Sequence, residues 1–142
     1  MELLSNNVST LQLGKLIGKI FPTFTDTAKV DAPGLSTDLK VGEAYIADPL
    51  VHDKMGVQLF LSITENGEWA ISNGSKFPTP LLLMHGAADP ITSHVATESF
   101  SKEIPTGKLT FKLWNGLRHE LHNEIRKEEV LQEIKQWLNT LD

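Results

Sequence analysis

The sequence contains no cysteine. Disulfide cross-links, thiolate zinc sites and a cysteine nucleophile are therefore excluded. It also lacks a basic cluster: 13 Lys and Arg stand against 18 Asp and Glu, for a formal net charge of −5. A nucleic-acid-binding surface needs a concentrated Lys/Arg footprint, so nucleic acid is not an expected partner. No apolar run approaches the roughly 20 residues that span a bilayer. The N-terminus lacks the basic flank, apolar core and small-residue cleavage site of a signal peptide. Internal repeats and low-complexity tracts are absent as well. The expectation is a cytoplasmic protein, with peripheral attachment to a membrane as the alternative. At 142 residues and 40% hydrophobic content, the chain suffices for one domain with a modest core.

What the sequence does contain is organised around Thr79-Pro80-Leu81-Leu82-Leu83-Met84-His85-Gly86-Ala87-Ala88-Asp89. An apolar run of strand length between a Pro and a Gly predicts a strand buried on both faces. Gly86 turns the chain and Asp89 follows just past the strand's carboxyl end, where chemistry gathers in open α/β sheets. Asp89-Pro90 also reads as a simple turn.

Upstream, residues 2–21 have helical spacing in Leu4, Val8, Leu11, Leu13, Leu16, Ile17 and Ile20, with Gly14 and Gly18 allowing close approach of a partner. Such an amphipathic stripe is compatible with contact to lipid, although packing against the protein is its ordinary use. Residues 22–53 read as loop with one short helix near Val41–Ala47. Met55–Ile71 reads as a helix with Leu59, Phe60 and Ile63 inward, and Trp69 as a packed or pocket-lining residue. Downstream, Ser93–Glu103 is a predicted helix capped by Ser93 or Thr92, with Val95, Ala96 and Phe100 inward. Lys108–Trp114 alternates as a strand with one wet face. Ile125–Leu141 is a helix with Val130, Leu131, Ile134, Trp137, Leu138 and Leu141 on one face.

The order strand, helix, strand, helix implies a parallel sheet, so the fold class is α/β. Loops then leave both strands on the same side, one carrying Asp89 and the other His119. A carboxylate beside an imidazole there makes a general-base pair. A metal reading competes: His119-Glu120-Leu121-His122 is one residue short of His-Glu-x-x-His, and His122 with Glu124 offers donors. His85 is expected to pack or bond locally, and His52 and His94 to be exposed.

Leu81-Leu82-Leu83-Met84-His85-Gly86-Ala87-Ala88-Asp89 resembles the strand and acid motif of the monoacylglycerol lipase and lysophospholipase group of α/β-hydrolases, which overlaps the serine aminopeptidase family. Leu113-Trp114-Asn115-Gly116-Leu117-Arg118-His119-Glu120-Leu121-His122-Asn123-Glu124 resembles its histidine motif, and Ala47-Asp48-Pro49-Leu50 the element that ends its cap. The resemblance implies the C-terminal part of an α/β-hydrolase fold, with a cap-like region at 1–53 and core at 54–142. It implies Asp89 as triad acid, His119 as triad base, His122 and Glu124 as loop supports, no metal or organic cofactor, and a lipid ester or other small ester as substrate. That family's nucleophile lies in Gly-x-Ser-x-Gly, a pattern that does not occur here. Ser36, Ser75 and Ser93 lack its setting. The expectation is a C-terminal half lacking nucleophile and oxyanion hole, which self-associates or pairs with the missing half through an open sheet edge. The alternative is an inactive fragment serving as an interaction or acyl-binding module.

Overall fold

The computed structural model describes residues 8–141. In chain order the elements are helix α1 (Val8–Ile20), strand β1 (Thr25–Thr27), a 3-10 turn at Ala32–Gly34, helix α2 (Leu39–Ala47), strand β2 (Lys54–Gly56) and helix α3 (Val57–Ser72). A 3-10 turn at Gly74–Lys76, strand β3 (Leu81–Gly86), helix α4 (His94–Glu103), strand β4 (Leu109–Trp114), a 3-10 turn at Leu121–Asn123 and helix α5 (Lys127–Leu138) follow. They form two compact units. One takes the described residues up to Val30 together with Leu50–Ala70; the other takes Asp31–Pro49 and the chain from Ile71 onward.

In the first unit β1 and β2 pair antiparallel, Thr25 opposite Gly56 and Thr27 opposite Lys54. Helix α1 meets α3 on its glycine side. Gln58 Nε2 donates to the Gly18 carbonyl at 2.7 Å, and a Cβ on Gly18 would lie 2.8 Å from that amide nitrogen. The inward residues of α3 are Val57, Phe60, Leu61 and Thr64, spaced three and four apart as one helical face requires. The expected stripe is therefore rotated. Leu59 and Ile63 are exposed, as are Trp69, Leu13, Leu16 and Ile20. Helical spacing says which residues share a face, but the close approach at Gly14 and Gly18 decides which face is used. Residues 2–7 of the expected first helix, Leu4 among them, lie outside the described residues.

The stretch expected to be irregular holds more order than its composition suggests. A three-residue strand such as β1 is too short to show alternation, and β2 takes the first turn assigned by pattern to the helix at Met55. Helix α2 begins at Leu39 because the Asp38 side chain caps it, accepting from the Lys40 N–H at 3.1 Å. Gly42 then lets α2 lie on the Ala32 carbonyl, which a Cβ would approach to 2.9 Å.

The second unit is built on β3 and β4, which pair in parallel with Leu81 opposite Leu109 and Gly86 opposite Trp114. Its core joins Trp114, Leu117, Leu121 and Val130, with Met84 and Ile134 against them. Val130 is 1% exposed; burying a side chain of that size contributes about 2 kcal/mol. Helix α5 presents Val130, Ile134 and Trp137 inward, whereas Leu131, Leu138 and Leu141 of the expected face are exposed. Ser93 caps α4, its Oγ accepting from the Ala96 N–H at 3.2 Å. Thr97 and Phe100 turn inward, Phe100 meeting Phe77 edge to face at 6.2 Å, while Val95 and Ala96 face outward. Leu81–His85 are half-buried rather than fully buried. Among the described residues β3 has a strand neighbour on one side only.

At the end of β3, Gly86 sits directly on the loop after β4. A Cβ there would overlap the main-chain carbonyl oxygens of Leu117 and Arg118. Gly86→Ala is expected to lower stability by about 3 kcal/mol or more, because both colliding atoms are backbone and cannot swing aside. Chemical denaturation of the variant against the parent chain checks this.

Candidate active site

The parallel pairing delivers two loops to one end of the sheet. The Ala87 N–H donates to the Trp114 carbonyl at 2.9 Å and the Ala88 N–H to the Leu117 carbonyl at 3.0 Å, so the loop after β3 is tied to the loop after β4. Asp89 lies on the first and His119 on the second. His119 Nδ1 is 2.9 Å from Asp89 Oδ2.

The Asp89 side chain is 2% exposed, and its charge is met by donors on both oxygens. Oδ1 accepts from the Ile91 N–H at 2.7 Å and the Thr92 N–H at 3.1 Å. Oδ2 accepts from the Thr92 hydroxyl at 2.6 Å and from His119. One oxygen of Asp89 shapes the turn and the other faces the imidazole, so the turn and the contact with His119 coexist. Burial alone would raise the carboxyl's pKa, but the bonds from Thr92, His119 and the Ile91 and Thr92 amides outweigh it and hold the group well below the usual carboxylate range. An ionised Asp89 needs the proton of His119 on Nδ1. That leaves Nε2 of His119 as a lone-pair base, and this nitrogen makes no hydrogen bond among the described residues. The His119 side chain is 35% exposed, so its free edge can be reached.

A second buried carboxylate holds the histidine loop. Glu124 is 1% exposed. It accepts from the Arg118 N–H at 2.5 Å, the Thr37 N–H at 3.0 Å, the Thr37 hydroxyl and the Ser36 hydroxyl at 3.4 Å. Further bonds knit the same two segments. Ser36 Oγ donates to the Asn123 carbonyl at 3.0 Å, the Glu120 N–H to the Leu35 carbonyl at 2.8 Å, and the Arg118 guanidinium to the carbonyls of Pro33 and Ser36. Gly34 packs so closely on Pro90 that a Cβ would lie 2.7 Å from its ring. The turn at residues 32–37 thus touches the neighbours of both Asp89 and His119.

Of the two residues expected to brace the loop, Glu124 lies within this hydrogen-bond network and His122 lies outside it. His122 is exposed and makes no side-chain hydrogen bond among the described residues. The brace falls instead to Glu124, Ser36 and Thr37. Ser36 and Thr37 lay in a stretch without periodicity, and no local signal marked them. His85 and Thr92 also went unrecognised as neighbours of the acid, although the four-residue spacing from His85 to Asp89 across a Gly turn carried that information. His52 is exposed as expected, while His94 is partly covered and meets the His85 ring edge to face at 6.4 Å. No group of three His, Asp or Glu residues that could hold a metal gathers among the described residues. Nor is any helix among them long and apolar enough to cross a membrane. Ser36 and Ser93 are committed to structural bonds, and no serine among the described residues bonds to His119.

Helices around parallel strands, with an acid and a base on adjacent carboxyl ends, form part of an α/β-hydrolase fold. The chain belongs to the serine aminopeptidase S33 family of hydrolases, whose sequence model matches residues 4–126. An uncharacterised abhydrolase-domain protein of Dictyostelium discoideum is 36% identical over 129 residues, covering 90% of this chain and 14% of that protein. The monoacylglycerol lipase of Mycolicibacterium smegmatis is 27% identical over 127 residues, covering 89% of this chain and 45% of the lipase. The crystal structure of the Paleococcus ferrophilus monoacylglycerol lipase superposes on 98% of this chain with a TM-score of 0.89 and 28% identity, and the chain covers 55% of that lipase. The chain spans less than half the length of the curated relatives it matches.

Glu124 generates a sharp expectation. Glu124→Gln must turn an amide NH₂ toward a main-chain N–H, Arg118 on one side or Thr37 on the other. This should cost about 2–3 kcal/mol near neutral pH. The pKa of Glu124 is lowered: burial opposes the charge, but bonds from the Thr37 hydroxyl and the Arg118, Thr37 and Ile125 amides prevail. A depressed carboxyl stabilises the fold above its unfolded value of about 4.3 and loses that contribution as pH falls through its lower folded value. Urea denaturation from pH 7 downward should show the variant's deficit shrinking once the pH passes below about 4.

Proposed function

We propose that this chain supplies the general base and its orienting acid for serine-dependent hydrolysis of a lipid carboxylic ester, a monoacylglycerol or lysophospholipid. The observation that carries the reading is the bond of 2.9 Å between His119 Nδ1 and Asp89 Oδ2, at the carboxyl ends of two adjacent parallel strands. His119 Nε2 takes the proton of a serine hydroxyl as it attacks the ester carbonyl and returns it to the leaving alcohol. Asp89 holds the tautomer that permits this and stabilises the imidazolium between the two transfers. A water molecule activated by the same nitrogen then releases the acyl group. The nucleophile must come from a Gly-x-Ser-x-Gly elbow, which this sequence does not contain. Catalysis therefore needs a second polypeptide segment, and pairing with it or with another copy is part of the reading. A strict monomer by light scattering at high concentration would count against the self-pairing form.

The absence of that motif favours a second reading, in which the chain is an interaction or acyl-binding module with no chemistry of its own. One experiment separates them. The purified chain alone should neither hydrolyse p-nitrophenyl esters and monoacylglycerol nor take up a fluorophosphonate label. Grafted in place of the matching part of the Paleococcus ferrophilus lipase, it should support monoacylglycerol hydrolysis. His119→Ala in the graft should then lower kcat by about 10³-fold or more. A folded, fluorophosphonate-reactive graft whose activity ignores His119→Ala would sink the assignment.

A further inference from the structure

Asp89 has a second imidazole beside it. Nε2 of His85 lies 3.1 Å from Asp89 Oδ2, the same oxygen that faces His119. It also lies 3.4 Å from the Thr92 hydroxyl oxygen, so its proton is shared between two acceptors. The His85 side chain is only 11% exposed, and its other nitrogen is occupied: Nδ1 is 2.8 Å from the Thr97 hydroxyl. These distances fix the tautomer of the neutral ring. A bare Nε2 lone pair beside an ionised, buried carboxylate would be repelled, so Nε2 carries the proton and Nδ1 accepts from Thr97. The Thr92 hydroxyl donates to Oδ2 and can still accept from His85, which closes the ring of contacts.

We infer that His85 is a positioning residue for the acid–base pair. With Thr97 behind it, it pins the Asp89 carboxylate from the β3 side, so that Oδ2 stays aimed at His119 Nδ1. The physical need is clear from the geometry. Oδ1 is held by two main-chain amides of the same turn that carries Asp89, and the Thr92 hydroxyl on Oδ2 belongs to that turn as well. These contacts hold the carboxylate relative to the turn, not relative to the strand. His85 projects from the strand and Thr97 from α4. His85 therefore ties the carboxylate to the rigid part of the unit, as a supporting shell must if the reacting groups are to keep their aim. This inference rests on the reading of Asp89 and His119 as an acid–base pair.

The test uses the 142-residue chain labelled with ¹⁵N-histidine, and reads the tautomer of each ring from its nitrogen shifts and long-range proton couplings. The parent chain should show His85 protonated on Nε2 and His119 protonated on Nδ1. His85→Leu should replace the single His119 signature with that of mixed tautomers, and His85→Gln, which restores an N–H donor, should recover it. Thr97→Val, which removes the hydroxyl behind His85 Nδ1, should likewise mix the His119 tautomers and serves where His85→Leu does not fold. A parent His85 protonated only on Nδ1 overturns the inference. So does an unchanged His119 signature in a folded His85→Leu chain, or in a folded Thr97→Val chain where His85→Leu does not fold. Asp89→Asn separates this failure from that of the underlying pair. If His119 ignores the loss of the carboxylate charge, the pair reading fails. If it responds to Asp89→Asn but not to His85→Leu, only the role of His85 fails.

Discussion

The parallel pairing of β3 with β4 is the constraint on which the rest of the second unit depends. Parallel neighbours end at the same side of a sheet, so two chain reversals 30 residues apart in sequence are brought face to face. An antiparallel pair would have put Asp89 and His119 at opposite ends. The register then does the fine positioning: Gly86 lies opposite Trp114, and the loops beyond both residues are joined by main-chain hydrogen bonds before Asp89 or His119 appears. The aim of the carboxylate at the imidazole is thus set mostly by backbone, and the side chains complete it.

A buried carboxylate is normally a cost, and among the described residues of this unit there are two, Asp89 and Glu124. Each is tolerated because its oxygens are saturated with donors. In Asp89 those donors come from the turn that the residue itself creates, plus two imidazoles. In Glu124 they come from Ser36 and Thr37, more than 80 residues earlier in the sequence, and from the nearby Arg118 amide. Replacing Glu124 by a well-packed apolar residue would remove the desolvation cost, but it would strand the Arg118 and Thr37 amides. Charge burial here exchanges some stability for a fixed distance between the turn at residues 32–37 and the histidine loop.

Sequence reasoning reached the βαβα order, the strand at Leu81–Gly86, the Ser93 cap and the loops bearing Asp89 and His119, because these depend on local signals: an apolar run, a turn residue, a short polar side chain before a helix. It failed where tertiary context decides. Leu59, Ile63, Val95, Leu131 and Leu138 carry the apolar character of a core face, yet the packed faces lie about one residue further round each helix. Glycine contacts on α1 and the sheet beneath α4 and α5 chose them. His122 follows the same logic in reverse. Its spacing from His119 looked purposeful, but the 3-10 turn at Leu121–Asn123 turns Leu121 into the core and leaves His122 in solvent. Ser36 and Thr37 were illegible because their partner, Glu124, is remote in sequence.

The one-sided sheet leaves a readable imprint on amide exchange. The Leu81 N–H points into β4, bonding to the Lys108 carbonyl at 2.8 Å, and Ala87 does the same with Trp114. Since alternate residues of a strand direct their N–H groups to opposite edges, Leu82 and Met84 present theirs to the side with no strand neighbour among the described residues. Protection from deuterium along β3 should therefore alternate residue by residue in the isolated chain. Any strand that docks there would erase the alternation, turning Leu82 and Met84 into built-in reporters of whether that edge is covered.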